Sequence, residues 1–61
     1  MYNVGKSVII NLIIKAYCEI ENFDYETLSS NAYSEMYDMC FELDDNILFA
    51  KLGELYEILL K

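Results

Sequence analysis

From Ser7 onward the chain repeats one pattern: Ser7, Asn11, Lys15 and Glu19 recur at every fourth position, joined by Asn22, and nearly everything between them is apolar. At about 100° per residue the polar positions collapse onto one narrow stripe. Val8, Ile9, Ile10, Leu12, Ile13, Ile14, Ala16, Tyr17 and Ile20 then occupy roughly 200° of the circumference, about twice the apolar stripe of an ordinary surface helix. The spacing predicts a helix from about 7 to 21, with Ser7 or Asn3 as its cap and Gly5 in the lead-in. Such a helix must be covered on two sides. Ile9, Ile13, Ala16 and Ile20 are expected to face a core, leaving Ile10, Ile14 and Tyr17 as a shoulder that needs a second layer.

The stretch Glu21 to Asp24 interrupts the pattern and offers Asn22 or Asp24 as the next cap. A second helix is predicted from about 25 to 43, with a possible restart at Ser29–Asn31, where three residues that compete for backbone hydrogen bonds stand together. Tyr25, Leu28, Ala32, Met36, Met39 and Leu43 share one face, expected to be core, with Cys40 at its margin. Asn31, Ser34, Glu35, Asp38 and Glu42 share the opposite face, and Tyr33, Tyr37 and Phe41 run between the two at spacings of four. Asp44 to Asn46 ends this helix and caps a third, predicted from about 46 to 60. There Leu48, Leu52, Leu55 and Leu59 make one seam, and Phe49, Gly53, Tyr56 and Leu60 make another beside it. Mid-helix glycine costs about 1 kcal/mol relative to alanine, so Gly53 suggests either a close backbone approach or a neutral surface position. Strands would need period-two alternation and turn glycines, which the chain lacks.

The expected fold is therefore all-α: a single three-helix domain over residues 1–61, completed by homodimerisation through Ile10, Ile14, Tyr17, Phe49, Gly53, Tyr56 and Leu60. Size supports the need for a second layer, because a lone core in a chain this short rarely supplies more than about 3 to 5 kcal/mol. Metal and disulfide reinforcement are not expected. There is no His, and Cys18 and Cys40 alone fall short of a zinc site; they read as small core hydrophobes. Lys15 interrupts the first apolar run, leaving it far short of a membrane span of about 20 residues, and no cleavable leader pattern is evident. These features suggest a cytoplasmic protein.

Charge narrows the choice of partners. The chain is 56% hydrophobic yet carries a net charge of −7, and no Lys or Arg lies between Ala16 and Ala50, where nine of its eleven acids fall. Direct nucleic-acid binding needs clustered cations and is disfavoured; a basic protein partner is favoured. The lack of Arg, His, Gln, Pro and Trp is typical of AT-rich coding, as in low-GC bacteria and their phages.

Catalysis finds no support. Gly5-Lys6-Ser7 has the ending of a nucleotide-binding loop but lacks the first glycine and the strand before it. The serines have no His base, the cysteines no activating cation, and carboxylates alone do not make a catalytic pocket. No cofactor is implied. The expectation is a small acidic regulator or inhibitor of a larger protein with a basic site, such as a repressor, a nuclease or another nucleic-acid-binding protein. Antirepressors encoded by mobile elements are proteins of this type.

Its expected partner surface is Tyr33, Tyr37 and Phe41 with Glu35, Asp38, Glu42 and Asp45, since aromatics give contact area and the charges steer association. The acids follow i, i+3, i+7, i+10, a row of about 15 Å if the helix persists, which raises mimicry of a DNA phosphate row as a specific variant. The alternative is a structural homodimerisation module whose acidity only maintains solubility.

Overall fold

The computed structural model describes residues 5–61, so Asn3 lies outside the described residues. It contains three α-helices, α1 (Lys6–Ile20), α2 (Ser30–Phe41) and α3 (Asp45–Leu59), with one 3₁₀ turn at Tyr25–Thr27 and no strand among the described residues. Gly5, rather than Ser7, is the N-cap of α1: its extended backbone precedes the helix, and its carbonyl accepts from the Val8 amide at 3.0 Å.

The end of α1 is a Schellman turn. Asn22 has φ 59°, the Phe23 amide donates to the Cys18 carbonyl at 2.8 Å, and the Asn22 amide donates to Glu19 at 3.1 Å. Asn22 therefore closes the first helix instead of capping the next, because asparagine enters the left-handed region more readily than other residues with a β-carbon. Asp24 caps the 3₁₀ turn by accepting from the Glu26 amide at 3.1 Å.

The predicted second helix is divided. Leu28 and Ser29 are extended, and the Ser29 hydroxyl accepts from the Ala32 amide at 3.1 Å, so α2 starts only at Ser30. This side-chain bond satisfies a first-turn donor that has no intrahelical partner. The helix stops at Phe41 with Glu42 as C-cap, and Asp44 caps α3 by accepting from the Asp45 amide at 2.9 Å.

Packing centres on α1, against which both α2 and α3 lie. Tyr33 of α2 meets Asn11, whereas Phe41 meets Lys6, so α2 runs antiparallel to α1. Asp45 of α3 meets Lys6, whereas Tyr56 and Leu59 lie beside Ala16 and Glu19, so α3 runs parallel to it. The buried side chains among the described residues are Ile9, Ile10, Ile13, Ile14, Ala16 and Cys18 of α1 with Leu48 of α3. Around them pack Tyr25, Leu28, Tyr33, Met36, Tyr37, Cys40, Leu43, Leu52 and Leu55.

This arrangement corrects the expected dimer surface at two positions. Ile10 and Ile14 are 0% and 1% exposed within one chain, because α2 and α3 between them cover the wide apolar arc of α1. Neither is available to a second copy. Tyr17, Phe49, Gly53, Tyr56 and Leu60 remain exposed.

Ile10→Ala is expected to cost about 2 to 5 kcal/mol, comparable to the whole margin of a domain this small. Circular dichroism should therefore show loss of helix at every protein concentration. Retained helicity with a smaller sedimenting mass would instead place Ile10 at a subunit contact.

Candidate protein-binding site

Orientation of α2 is set by hydroxyls as well as by apolar contact. Tyr25 donates to Asn11 Oδ1 at 3.2 Å, and the Tyr33 hydroxyl donates to the same oxygen. One amide carbonyl has two lone pairs and can accept both. Tyr25 and Tyr33 meet edge to face with ring centroids 6.4 Å apart, and the series continues through Tyr37 to Phe41 at 6.1 Å per step. Lys15 lies 5.4 Å from the Tyr25 ring centroid, which adds a cation-π contact at one end of the series.

That geometry revises the aromatic strip. Tyr33 and Tyr37 are half-buried against the core, and of the three residues expected to meet a partner only Phe41 is exposed. Met39, placed in the core by spacing, is 70% exposed. Tyr33 and Tyr37 thus join Met36 in packing against the core, and Met39 alone of the expected core face is left exposed. The acidic row is shorter than expected for a related reason: Glu35, Asp38 and Glu42 are exposed along α2 and its cap, but Asp45 belongs to α3.

Asp45 has a partner inside the chain. Lys6 Nζ lies 3.9 Å from Asp45 Oδ1 and 4.9 Å from the centroid of the Phe41 ring. One ammonium thus joins the start of α1, the end of α2 and the start of α3. No base lies in the last turn of α2, so Lys6 places positive charge near a helix end that favours it. The ion pair is largely solvated and is worth at most about 1 kcal/mol.

Away from this junction α2 and α3 separate and leave an apolar groove of about 300 Å³. Its floor is Ile13, Ile14 and Tyr17 of α1; one wall is Met36, Met39 and Cys40 of α2, and the other is Lys51 and Leu55 of α3. Ile47 and Ile58, both exposed, neighbour that wall on the helix surface at four residues before Lys51 and three after Leu55. Sequence reading missed this groove. The available signal was the pair Met36 and Met39 beside an isolated lysine at Lys51.

A second apolar surface lies on the other side of α3. Phe49, Tyr56 and Leu60 are exposed there, and Tyr56 borders a shallow depression with Leu12, Ala16 and Leu59. Gly53 belongs to this face, and a β-carbon added to it would meet nothing within 4 Å. No backbone among the described residues approaches that glycine.

The thiols are poorly suited to nucleophilic work. Burial pushes the Cys18 thiol above its ordinary range, with the negative charge of Asp24 adding to the effect. Burial also raises Cys40, partly offset by the Lys51 ammonium. Both cysteines are free. Among the described residues no group of three or more acids or thiols is placed to hold a metal ion, and no helix is long and apolar enough to cross a membrane.

Two expectations follow. The Tyr33 phenol is raised above 10.0, mainly by burial and then by Tyr25 and Tyr37, so the folded chain holds this proton more tightly than the unfolded chain does. The associated stability is intact below pH 10.0 and is lost as pH rises beyond it. Tyr33→Phe should cost about 1 kcal/mol at neutral pH through the lost hydrogen bond. In urea titrations its deficit against the parent chain should narrow above pH 10.0; a constant deficit would remove the phenol from the alkaline transition. Gly53→Ala should raise the stability of dilute protein by about 1 kcal/mol, since the space is open and alanine is the better helix former. A loss in the same titration would mean that another backbone packs over this glycine.

Comparison with protein-family models, with curated proteins and with solved structures found no match for this chain.

Proposed function

We propose that this chain is a small acidic protein-binding regulator that docks onto a basic surface of a larger protein. The observation that carries the reading is the composition of the outer face of α2, where Met39 and Phe41 are exposed beside the carboxylates Glu35, Asp38 and Glu42. Apolar anchors give a contact its area, and surrounding charge gives it rate and selectivity. Asp38 and Glu42 also stand at the end of α2 that the helix dipole makes unfavourable for acids, and no base of α2 offsets them there. A cationic partner would relieve that repulsion. Mimicry of a phosphate row is the narrower form of the same reading, with three carboxylates of α2 and its cap spanning about 10 Å.

A structural homodimer is the second reading, favoured by a different surface: Phe49, Tyr56 and Leu60 around the open Gly53. The two readings use opposite sides of the molecule and are separable by substitution.

Tagged chain should retain a protein from host lysate at moderate salt. Met39→Ala with Phe41→Ala should release it, and Glu35→Gln, Asp38→Asn and Glu42→Gln together should weaken retention and flatten its salt dependence. Double-stranded DNA should compete for the retained protein if mimicry is the mechanism. Retention of nothing, together with a sedimenting mass of two chains that Tyr56→Ala halves, would replace regulation by the structural reading.

A further inference from the structure

We infer that the groove between α2 and α3 seats a basic amphipathic helix of the partner, a conclusion that rests on the protein-binding reading and assigns its contact. The first observation is shape. The α2–α3 wedge is closed by the short Glu42–Asp44 link and opens along α1, over Ile14, 1% exposed, toward Tyr17, 47% exposed. From Ile13 to Tyr17 the floor advances four residues, about 6 Å, which is the spacing of i and i+4 anchors on an incoming helix. The walls suit such a ligand, because Met36 and Met39 have unbranched side chains that adapt to the anchors they meet.

The second observation is charge. Met39 forms the exposed lip of the groove, and its neighbours on the helix surface are Glu35, four residues before, and Glu42, three residues after. Asp38 adjoins them, and α2 carries no cation. An occupant therefore meets an apolar trough with an anionic rail along one wall. A helix with leucine-like anchors on one face and lysine or arginine on its flank matches both features. A second copy of this chain does not, since each copy brings a net charge of −7. The opposite wall contributes Lys51 at its centre, which discriminates against a helix that is cationic on both flanks and so fixes the orientation of the occupant.

Cys40 provides a local reporter, because it lines the groove while Cys18 is sealed in the core. The test uses the full chain and three synthetic peptides of about five helical turns. One has leucines at i, i+3, i+4 and i+7, lysines on one flank and uncharged glutamines elsewhere; the second has glutamates in place of those lysines; the third is a scrambled version of the first. Alkylation of Cys40 by iodoacetamide is followed by mass spectrometry, with Cys18 as the internal reference. The lysine peptide should slow Cys40 alkylation, whereas the other two should not.

Glu35→Gln with Glu42→Gln should weaken the lysine peptide about fivefold at low salt, as expected for two rim ion pairs. Met39→Glu should abolish protection, with circular dichroism confirming retained helix. Equal protection by the glutamate peptide, or peptide binding that leaves Cys40 reactive, would overturn the assignment. So would protection that grows with the concentration of the chain alone, which would make a second copy the occupant. A lysate protein retained while Cys40 stays reactive would sink the groove alone and leave the protein-binding reading intact.

Discussion

One helix must be enclosed by two others, and the rest of the molecule follows from that requirement. An isoleucine-rich α1 with apolar residues over more than half its circumference cannot be covered by a single neighbour. Each buried isoleucine contributes about 1.5 to 3 kcal/mol, so leaving one side of α1 wet would erase the margin on which so small a domain depends. Placing α2 on one side and α3 on the other solves this, and it explains why, among the described residues, six of the seven buried ones belong to α1. The same solution separates α2 from α3. Their inner faces are used on α1, and the surfaces they would present to each other are left open over much of their length.

The closed end of that wedge, made by the short Glu42–Asp44 link, also carries a local charge contact. Lys6 is one of only four cations in the chain, and it stands where α2 ends and α3 begins. Among the described residues no other ion pair forms, and the outer side of α2 carries acids with no base in the same helix. Self-repulsion of this kind favours solubility over compactness. It is tolerated here because the carboxylates are solvated and the core beneath them contains no buried charge among the described residues.

Helix number, the bounds of α1 and α3 to within about two residues, and the leucine seam of α3 were legible in the sequence, because each rests on a long period or on a capping side chain such as Asp44. The restart of α2 was signalled by Ser29 to Asn31, although the two-residue extended break before it was not. What could not be read was how far the packed face of α2 extends: Met36, Cys40 and Leu43 lie against the core as expected, but Tyr33 and Tyr37 join them and Met39 does not. Its sequence offers an apolar flank on either side of that face, Met39 on one and the Tyr33–Tyr37 pair on the other. Period alone does not choose between them. Asn11 does, by accepting hydroxyls from Tyr25 and Tyr33, and Asn11 lies on the stripe of α1 that periodicity assigned to solvent. A hydrogen bond between elements 22 residues apart leaves no trace in local pattern.

That choice of flank also determines where the unspent apolar surface lies. With the tyrosines turned inward, Met39 is released to the rim, directly between Glu35 and Glu42. Had Met39 packed on α1 in place of the tyrosines, the exposed face would have been aromatic and continuous with the acids, and the groove would have lost its flexible lip. The amide of Asn11 therefore acts on the candidate binding surface from the far side of α2: it fixes which residues are consumed by folding and, by subtraction, which remain for a partner. In a chain with so little interior, stability and recognition draw on the same few side chains.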